Sequence, residues 1–432
     1  MTGTYTLFFT FLLFGLGSAQ QIGTDTQEQH PKLPILRCSV KEGCLKQDTA
    51  VVLDAFSRDI HKIGQSNVSC GNSGYLNPEV CPDAASCAKN CVLEGIDYTS
   101  HGLKTEGDAL ILNQFLKGSD GTYSVVSPRA YLLDSDGKNY ESFKLLSMEM
   151  SFDVDVSKLV CGMNGALYLA EMEATGGRSA ENPAGAEYGT GYCDAQCPKL
   201  AWINGVANAN QTYGACCNEM DIWEANALAQ AYTPHACNIT GVYKCSSVDE
   251  CGQDHGVCDE WGCGFNPYSY GVHDYYGRNM TVNTNRKFTV VTQFITDDGT
   301  PSGTLSEIRR LYIQGGRVIK NSAVSAAGQT LSSITEGYCN ATASWFQARG
   351  GLADMGQAIG RGMVLIFSVW ADSGGFMNWL DSGSAGPCNA TEGDPALILA
   401  QHSDASVTFS NIRYGELNST YTTAGCKKVR EA

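Results

Sequence analysis

Long hydrophobic runs are scarce in this chain of 432 residues. The apolar run at residues 7–16 is too short to span a bilayer comfortably, and Gly17, Ser18 and Ala19 follow it. That order is typical of a cleaved secretory signal, so we predict a signal peptide at residues 1–19 and a secreted, extracellular protein. No Lys or Arg precedes the run, and a membrane anchor is the alternative.

Positive charge is also in deficit, since 29 Lys and Arg face 45 Asp and Glu and the formal net charge is −16. Polyanions are repelled by such a surface. Nucleic acid and acidic membranes are therefore poor partners, and a neutral substrate fits better.

Several catalytic signatures are absent. The chain has no Gly-x-Ser-x-Gly elbow, no phosphate-binding Walker loop and no His-Glu-x-x-His pair. Its 7 histidines are scattered, which argues against a dedicated metal site. Proteolytic and phosphoryl chemistry fit poorly, and we expect neither a metal nor a cofactor.

Long helical periodicity is scarce as well, whereas two-residue alternation recurs at residues 152–156, 287–295 and 406–414. Residues 363–370 form a continuous apolar run, typical of a strand buried on both faces. Residues 308–319 predict a hairpin turning at two glycines. With 48 glycines to supply turns, the pattern predicts an all-β fold, an antiparallel β-sandwich with long loops.

The chain shows no internal repeat and no Pro/Ser/Thr-rich linker. We therefore predict one domain at residues 20–415, followed by a short tail at residues 416–432 without a carbohydrate-binding module.

Cysteine is abundant, with 19 residues, and an oxidising secretory route explains it. The odd count leaves at least one thiol unpaired, and Cys426 in the polar tail is our candidate. Glycosylation sequons indicate the same route. They lie at Asn67, Asn210, Asn238, Asn279, Asn340, Asn389 and Asn418.

Residues 216–226, CCNEMDIWEAN, concentrate three carboxylates. In a strand, Glu219 and Asp221 share one face with Trp223, opposite the apolar face of Met220 and Ile222. Strict alternation sends the third carboxylate, Glu224, into the core, where an ionised group costs several kcal/mol. A β-bulge between Asp221 and Glu224 restores it to the cleft face, so we predict an irregularity there.

Paired glutamates on one bulged strand suit retaining glycoside hydrolysis, in which the carboxyls lie about 5–5.5 Å apart. A solvated acidic strand or a calcium site is the alternative, although the segment lacks the glycine typical of calcium loops.

The Glu-x-Asp-x-x-Glu motif of residues 219–224 resembles that of glycoside hydrolase families 7 and 16, and its surroundings resemble family 7, the fungal cellulases. These surroundings are the adjacent Cys216 and Cys217, Thr-Pro-His at 233–235, the segment 189–197, and the stretches 48–54 and 409–413. The likeness covers about residues 31–415.

The resemblance implies a jelly-roll sandwich of the concanavalin A type with an open cleft. It implies that Glu219 is the nucleophile, Glu224 the acid/base and Asp221 the group that orients Glu219. Other side chains are implied to line sugar subsites or stack on sugar rings: His235, Arg129, Tyr168, Asp194, Gln196, Trp370 and Trp379. We expect the other tryptophans, Trp202, Trp223, Trp261 and Trp345, to be structural.

The family also implies the disulfide framework. Its pairs are Cys38 with Cys44, Cys70 with Cys91, Cys81 with Cys87, Cys161 with Cys388, Cys193 with Cys217, Cys197 with Cys216, Cys237 with Cys258, Cys245 with Cys251, and Cys263 with Cys339.

The family contains endoglucanases with open clefts and cellobiohydrolases with tunnels. The segment between Cys197 and Cys216 is shorter here than in the tunnel enzymes, residues 379–388 are likewise short, and product-side arginines are missing around 253–255 and at Ser269. We therefore predict a monomeric endo-1,4-β-glucanase acting on β-1,4-glucan. A cellobiohydrolase and an inactive lectin-like binder are the alternatives. Residues 55–59 also depart from the family's usual aromatic platforms, which predicts weaker binding to crystalline cellulose.

Overall fold

The computed structural model describes residues 21–253, 255–326 and 328–422. The predicted signal peptide and Cys426 lie outside these ranges. Within them, no helix is both long and apolar enough to cross a membrane.

Two large sheets dominate the described chain. In chain order their strands are β1 (Ile35–Ser39), β2 (Gly43–Gln47), β3 (Ala50–Leu53), β4 (Leu103–Glu106), β5 (Ala109–Asn113), β6 (Arg129–Leu133), β7 (Ser142–Phe143), β8 (Met148–Asp155), β9 (Met163–Ala170), β10 (Glu219–Ala225), β11 (Gln230–His235), β12 (Phe288–Thr296), β13 (Leu305–Gln314), β14 (Arg317–Lys320), β15 (Ile334–Thr335), β16 (Met363–Ala371) and β17 (Ser406–Glu416).

The larger sheet is 10-stranded, in the order β4-β5-β17-β8-β12-β13-β14, with β1 beside β17, β2 beside β1 and β15 beside β13. The smaller is 7-stranded, in the order β11-β10-β9-β16-β6-β3, with β7 beside β16. Within these two sheets of the described chain, only the β1–β17 pairing is parallel. The predicted antiparallel sandwich is therefore confirmed, and so are the predicted strands and the hairpin between β13 and β14.

The core lies between the facing surfaces of the two sheets. Trp223 of β10 is fully buried there, with its ring centroid 5.8 Å from that of Phe288 and 6.4 Å from that of Phe152 on the opposite sheet. Burying one such side chain contributes about 1.5–3 kcal/mol. The outer face of the smaller sheet is thereby left free to carry polar groups.

Shorter strands form small hairpins and edges in the connecting segments. They are Gln21–Ile22, Ile60–Lys62, Gln65–Ser69, Gly71–Asn72, Tyr75–Leu76, Cys91–Leu93, Phe115–Lys117, Tyr123–Val125, Trp202–Ile203, Val206–Ala207, Gly214–Cys216, Tyr243–Cys245, Tyr276–Gly277, Val282–Asn283, Val324–Ala326 and Gln329–Leu331.

Helices are short throughout the described chain. They are α1 (Ala84–Asn90), α2 (Val248–Cys251), α3 (Glu336–Thr342), α4 (Ser344–Ala348), α5 (Gly351–Arg361), α6 (Asn378–Asp381) and α7 (Pro395–Gln401).

Helix α5 was not expected from the sequence, because glycines lower its helix propensity. It nevertheless buries Leu352, Met355 and Ile359 along one face. Gly356 allows this close packing, since a Cβ added there would lie 2.7 Å from the Cβ of Leu305 in β13.

Every disulfide implied by the family resemblance is present in the described chain. Two of them, Cys193–Cys217 and Cys197–Cys216, join the adjacent cysteines ahead of β10 to one loop. Cross-links of this kind typically contribute about 2–4 kcal/mol. They fix that loop against the start of β10.

Candidate active site

The strand β10 carries an irregularity between Asp221 and Glu224. Asp221 pairs with Thr233 and Glu224 with Ala231, so β10 uses one more residue than β11 over the same interval. The predicted bulge is therefore confirmed, and it turns the Glu224 side chain to the outer face.

The bulge also changes the direction of Trp223. Strict alternation placed this side chain with Glu219 and Asp221, but both Ile222 and Trp223 are buried in the core. Two consecutive residues point inward because the extra residue lies between the two carboxylates. The expectation of a shared face is wrong for Trp223, whereas its structural role is confirmed.

A cleft of about 1180 Å³ crosses the outer face of the smaller sheet. All the side chains that the sequence nominated for catalysis or substrate binding line it. They are Glu219, Asp221, Glu224, His235, Arg129, Tyr168, Asp194, Gln196, Trp370 and Trp379.

Glu219 lies at the start of β10 and is only 4% exposed. Its Oε2 accepts a hydrogen bond of 3.1 Å from the backbone N–H of Ala195, in the loop that the two disulfides hold. Burial raises the pKa of Glu219 well above its usual value, and the charges of Asp221 and Asp194 raise it further. The charge of His235 and the hydrogen bond from the Ala195 N–H lower the pKa of Glu219.

His235 supplies positive charge to this group of carboxylates. Its Nε2 lies 3.1 Å from Oδ2 of Asp221, and its Nδ1 lies 2.9 Å from the carbonyl oxygen of Asp259. Burial lowers the pKa of His235, but the hydrogen bond to Asp221 and the charges of Asp221, Glu219 and Asp259 raise it overall to about 10. The ring is therefore an imidazolium at neutral pH, with both nitrogens as donors.

Glu224 is partly exposed in the cleft and has a different partner. The amide Nδ2 of Asn164 donates a 2.9 Å hydrogen bond to its Oε1, while Oδ1 of Asn164 accepts from the Ala225 N–H at 3.1 Å. Burial and the charge of Asp221 raise the pKa of Glu224 to about 8. Glu224 is thus mainly protonated at neutral pH.

Asn164 is a site residue that the sequence did not nominate. It lies in β9 within the apolar segment MNGALYLA and is fully buried. A polar residue within an otherwise apolar segment is the signal that could have identified it, because a polar side chain buried in such a segment needs a hydrogen-bond partner.

Arg129 is held in the cleft by buried polar groups. Its Nε donates a 2.7 Å hydrogen bond to Oδ2 of Asp54, and its guanidinium lies 3.4 Å from the ring centroid of Tyr192. The hydroxyls of Tyr192 and Tyr168 are 3.1 Å apart. The Arg129 charge is therefore paired within the protein.

Aromatic side chains border the cleft on more than one side. Trp370 and Trp379 are stacked, with ring centroids 6.4 Å apart and planes at 29°. Trp261 also lines the cleft and is 60% exposed, so the expectation that it is structural does not describe its position. Phe56 lines the cleft near Asp54, in the segment that departs from the usual platforms.

An antiparallel sandwich whose outer face carries two glutamates in unlike surroundings, bordered by exposed aromatic rings, defines a class of protein, the β-sandwich glycoside hydrolases. The family model described as glycosyl hydrolase family 7 matches residues 22–421. The chain belongs to glycosyl hydrolase family 7.

Relatives and a solved structure agree with this assignment. The chain is 58% identical to the probable endo-beta-1,4-glucanase celB of Aspergillus terreus, covering 95% of this chain and 96% of that protein. It is 49% identical to endoglucanase EG-1 of Hypocrea jecorina, covering 94% and 82%. The native structure of the Humicola insolens endocellulase EGI matches with a TM-score of 0.87 at 46% identity, covering 93% of this chain and all of that one.

Proposed function

We propose that this protein is an endo-acting hydrolase of β-1,4-glucan that works by a retaining double displacement. One observation carries the proposal: Glu219 and Glu224 face one cleft from a single bulged strand, and their surroundings differ. Glu219 accepts a backbone N–H beside a cation, whereas Glu224 is kept protonated.

In the first step, a Glu219 carboxylate oxygen attacks the anomeric carbon. The bond to the glycosidic oxygen breaks, and Glu224 donates its proton to that oxygen. Attack requires ionised Glu219. Burial and the charges of Asp221 and Asp194 raise the pKa of Glu219, and the His235 imidazolium lowers it. The Ala195 N–H holds one carboxylate oxygen in place.

In the second step, Glu224 accepts a proton from water while the water oxygen attacks the anomeric carbon. The bond to Glu219 breaks, and the sugar leaves with its original configuration. Asp221 keeps His235 charged through both steps and orients Glu219.

The cleft favours a neutral chain of sugars. Of the described residues that line it, Arg129 and His235 are the basic ones, and both are paired, with Asp54 and Asp221 respectively. The exposed ring of Trp379 and the partly buried ring of Trp370 stacked on it suit the apolar faces of pyranoses. A neutral β-glucan meets both conditions.

Endo action follows from the openness of the cleft, since the segments that would cover it, between Cys197 and Cys216 and at residues 379–388, are short. Phe56 lines the cleft with Asp54 and is partly buried, and the segment that carries it departs from the family's usual aromatic platforms, so we infer weak binding of distant sugars. Soluble or amorphous glucans are then preferred to crystalline cellulose.

We infer secretion and glycosylation as well. The disulfide framework requires an oxidising compartment, and every sequon asparagine is exposed where a glycan has room. We propose that the protein acts as a monomer.

A viscosity assay on carboxymethylcellulose with product analysis tests the function. We expect a rapid fall in viscosity and mixed oligosaccharide products, and no turnover by Glu219→Gln, which should still fold. Release of cellobiose alone from crystalline cellulose, without a fall in viscosity, would indicate a cellobiohydrolase. Binding of glucan without any hydrolysis would indicate a lectin-like protein.

A further inference from the structure

We propose that Trp261 is the stacking platform of a sugar subsite on the leaving-group side of the cut, which accepts a neutral β-linked glucosyl unit. This inference rests on the proposed function and extends it. Trp261 is 60% exposed although it lines the cleft. A large apolar ring kept in contact with water at a binding site is a common feature of recognition surfaces.

The position of Trp261 relative to the catalytic strand follows from backbone hydrogen bonds. The Cys263 N–H donates to the Pro234 carbonyl at 3.0 Å, and the Phe265 N–H donates to the Tyr232 carbonyl at 3.0 Å. The segment at residues 258–265 therefore runs beside β11 and extends the sheet past its edge. Two strand spacings, about 10 Å in total, separate it from β10, a distance comparable to a disaccharide.

The turn that carries Trp261 is rigid. Disulfides Cys237–Cys258 and Cys263–Cys339 attach both sides of it to the rest of the domain. The backbone N–H of Trp261 donates a hydrogen bond to Oδ1 of Asp259 at 3.2 Å. The backbone that carries the indole is therefore in place before substrate arrives, which lowers the entropic cost of binding.

Gly262 links this turn to His235. Its φ is +71°, and a Cβ added there would lie 2.7 Å from Cε1 of His235. Only glycine fits this close approach. The distance between the platform and the Asp221–His235 pair is thus fixed by the fold.

The polar neighbours of Trp261 in the cleft indicate which sugars the subsite accepts. They include Gln253, Glu260 and Ser269, and none of these three is cationic. Gln253 and Ser269 stand where the family resemblance places product-binding arginines of exo-acting relatives. Stacking on an indole with an acid nearby favours a neutral pyranose and disfavours an anionic sugar.

Reactivation of a trapped intermediate isolates this subsite from the rest of the cleft. With 2-deoxy-2-fluoro-β-cellobiosyl fluoride, Glu219 bonds to the anomeric carbon and fluoride leaves. Added cellobiose then attacks that carbon through its 4-hydroxyl, Glu224 accepts the hydroxyl proton, and Glu219 is released. The cellobiose concentration that gives half-maximal reactivation reports binding on the leaving-group side alone.

For Trp261→Ala we expect that concentration to rise about tenfold, with unchanged rates of trapping and of reactivation by water. Trp261→Phe should restore most of the loss. The matched control is Trp345→Ala, since Trp345 is 36% exposed and packs against His255 outside the cleft lining. It should behave as the wild type.

An unchanged cellobiose dependence in Trp261→Ala would overturn the platform. Slower trapping with normal reactivation would overturn its placement, because Trp261 would then bind the sugars that remain on the enzyme. Failure of the wild type to be trapped would instead reject the proposed function.

Discussion

The Nε2 of His235 lies 3.1 Å from Oδ2 of Asp221, in a pair whose side chains are almost closed to solvent. The other ring nitrogen faces the Asp259 carbonyl at 2.9 Å. The ring therefore carries a positive charge among the carboxylates of Asp221, Glu219 and Asp194. This charge opposes their mutual repulsion and so controls how readily Glu219 ionises.

Replacement of His235 by Gln is expected to impair activity most at acidic pH. Loss of the cation raises the pKa of Glu219 further, so less of the nucleophile is ionised and the acidic limb of kcat/KM moves to higher pH. At pH 5 we expect a loss of about tenfold or more. A pH profile on an aryl β-cellobioside measures it, with His273→Gln, an exposed histidine outside the cleft, as the control.

The same substitution should change stability in a defined pH window. The folded-state pKa of His235 is raised to about 10, whereas an unfolded His has a pKa of about 6.5. The stabilising contribution is therefore full below about pH 6.5 and is lost as pH rises through about 10. We expect His235→Gln to cost about 3 kcal/mol at pH 6. Chemical denaturation at pH 6 and 10 should show this cost shrinking, and a constant difference would contradict the assignment.

Removal of the Asn164 amide should move the alkaline limb of activity. Glu224 acts as an acid only when protonated, so activity falls as pH rises through its pKa of about 8. The Asn164 hydrogen bond lowers that pKa, so Asn164→Ala should raise it and shift the limb to higher pH. We also expect kcat to fall about tenfold, because the carboxyl is no longer oriented.

Asn226→Ala is the matched control for this change. Asn226 is also buried, but it donates to the Met163 carbonyl and to Asp381 rather than to a cleft carboxylate. It should lower stability without moving the alkaline limb. An equal shift in both variants would indicate a general structural effect.

Local chemistry was sufficient to predict the strand of the carboxylates and its bulge. Alternation placed Glu219 and Asp221 outward, and the cost of burying ionised Glu224 required an extra residue. Alternation did not predict the face of Trp223. A period of two assigns each residue to one face of a regular strand, but it does not show at which position the extra residue of a bulge lies. The hydrogen bond from Asn164 depends on the register of two distant segments, which local periodicity does not contain.

Other features depend on neighbours that are remote in sequence. Whether Trp261 is buried or exposed depends on the sheet edge beyond β11, so a tryptophan in a short segment between two cysteines gave no signal. Helix α5 escaped prediction because its glycines, such as Gly356, allow packing on β13 while they weaken the local helical pattern. The disulfide pairs came from the family resemblance, since spacing alone leaves many connectivities open.

Azide should assign the two glutamates by the products that it forms. In Glu224→Ala, a 2,4-dinitrophenyl β-cellobioside needs no acid to form the glycosyl-enzyme, and azide then releases β-cellobiosyl azide. In Glu219→Ala, azide enters from the nucleophile's side and yields the α product. Each variant should lose about 10⁴-fold or more on cellotetraose.

NMR of the isolated azides distinguishes the two anomers. Glu181→Ala, which removes an exposed glutamate outside the cleft lining, should give neither product and retain normal activity. The same anomer from both variants would refute the assigned roles.

The disulfide Cys197–Cys216 should matter for catalysis as well as for stability. It closes a separation of 19 residues, and its Cys197 stands just after Ala195, whose N–H donates to Glu219. Cys70–Cys91 closes a similar separation of 21 residues outside the cleft lining, so the two double Cys→Ala variants should each lose about 2–4 kcal/mol. Loss of Cys197–Cys216 leaves the segment around Ala195 held by Cys193–Cys217 alone, so the Ala195 N–H can move more, whereas loss of Cys70–Cys91 leaves both of these cross-links in place. We therefore expect kcat to fall about tenfold only in the variant that lacks Cys197–Cys216. Thermal denaturation gives the folded fraction of each variant, so kcat can be expressed per folded molecule. Equal kcat values for the two variants would show that the loop does not position the nucleophile.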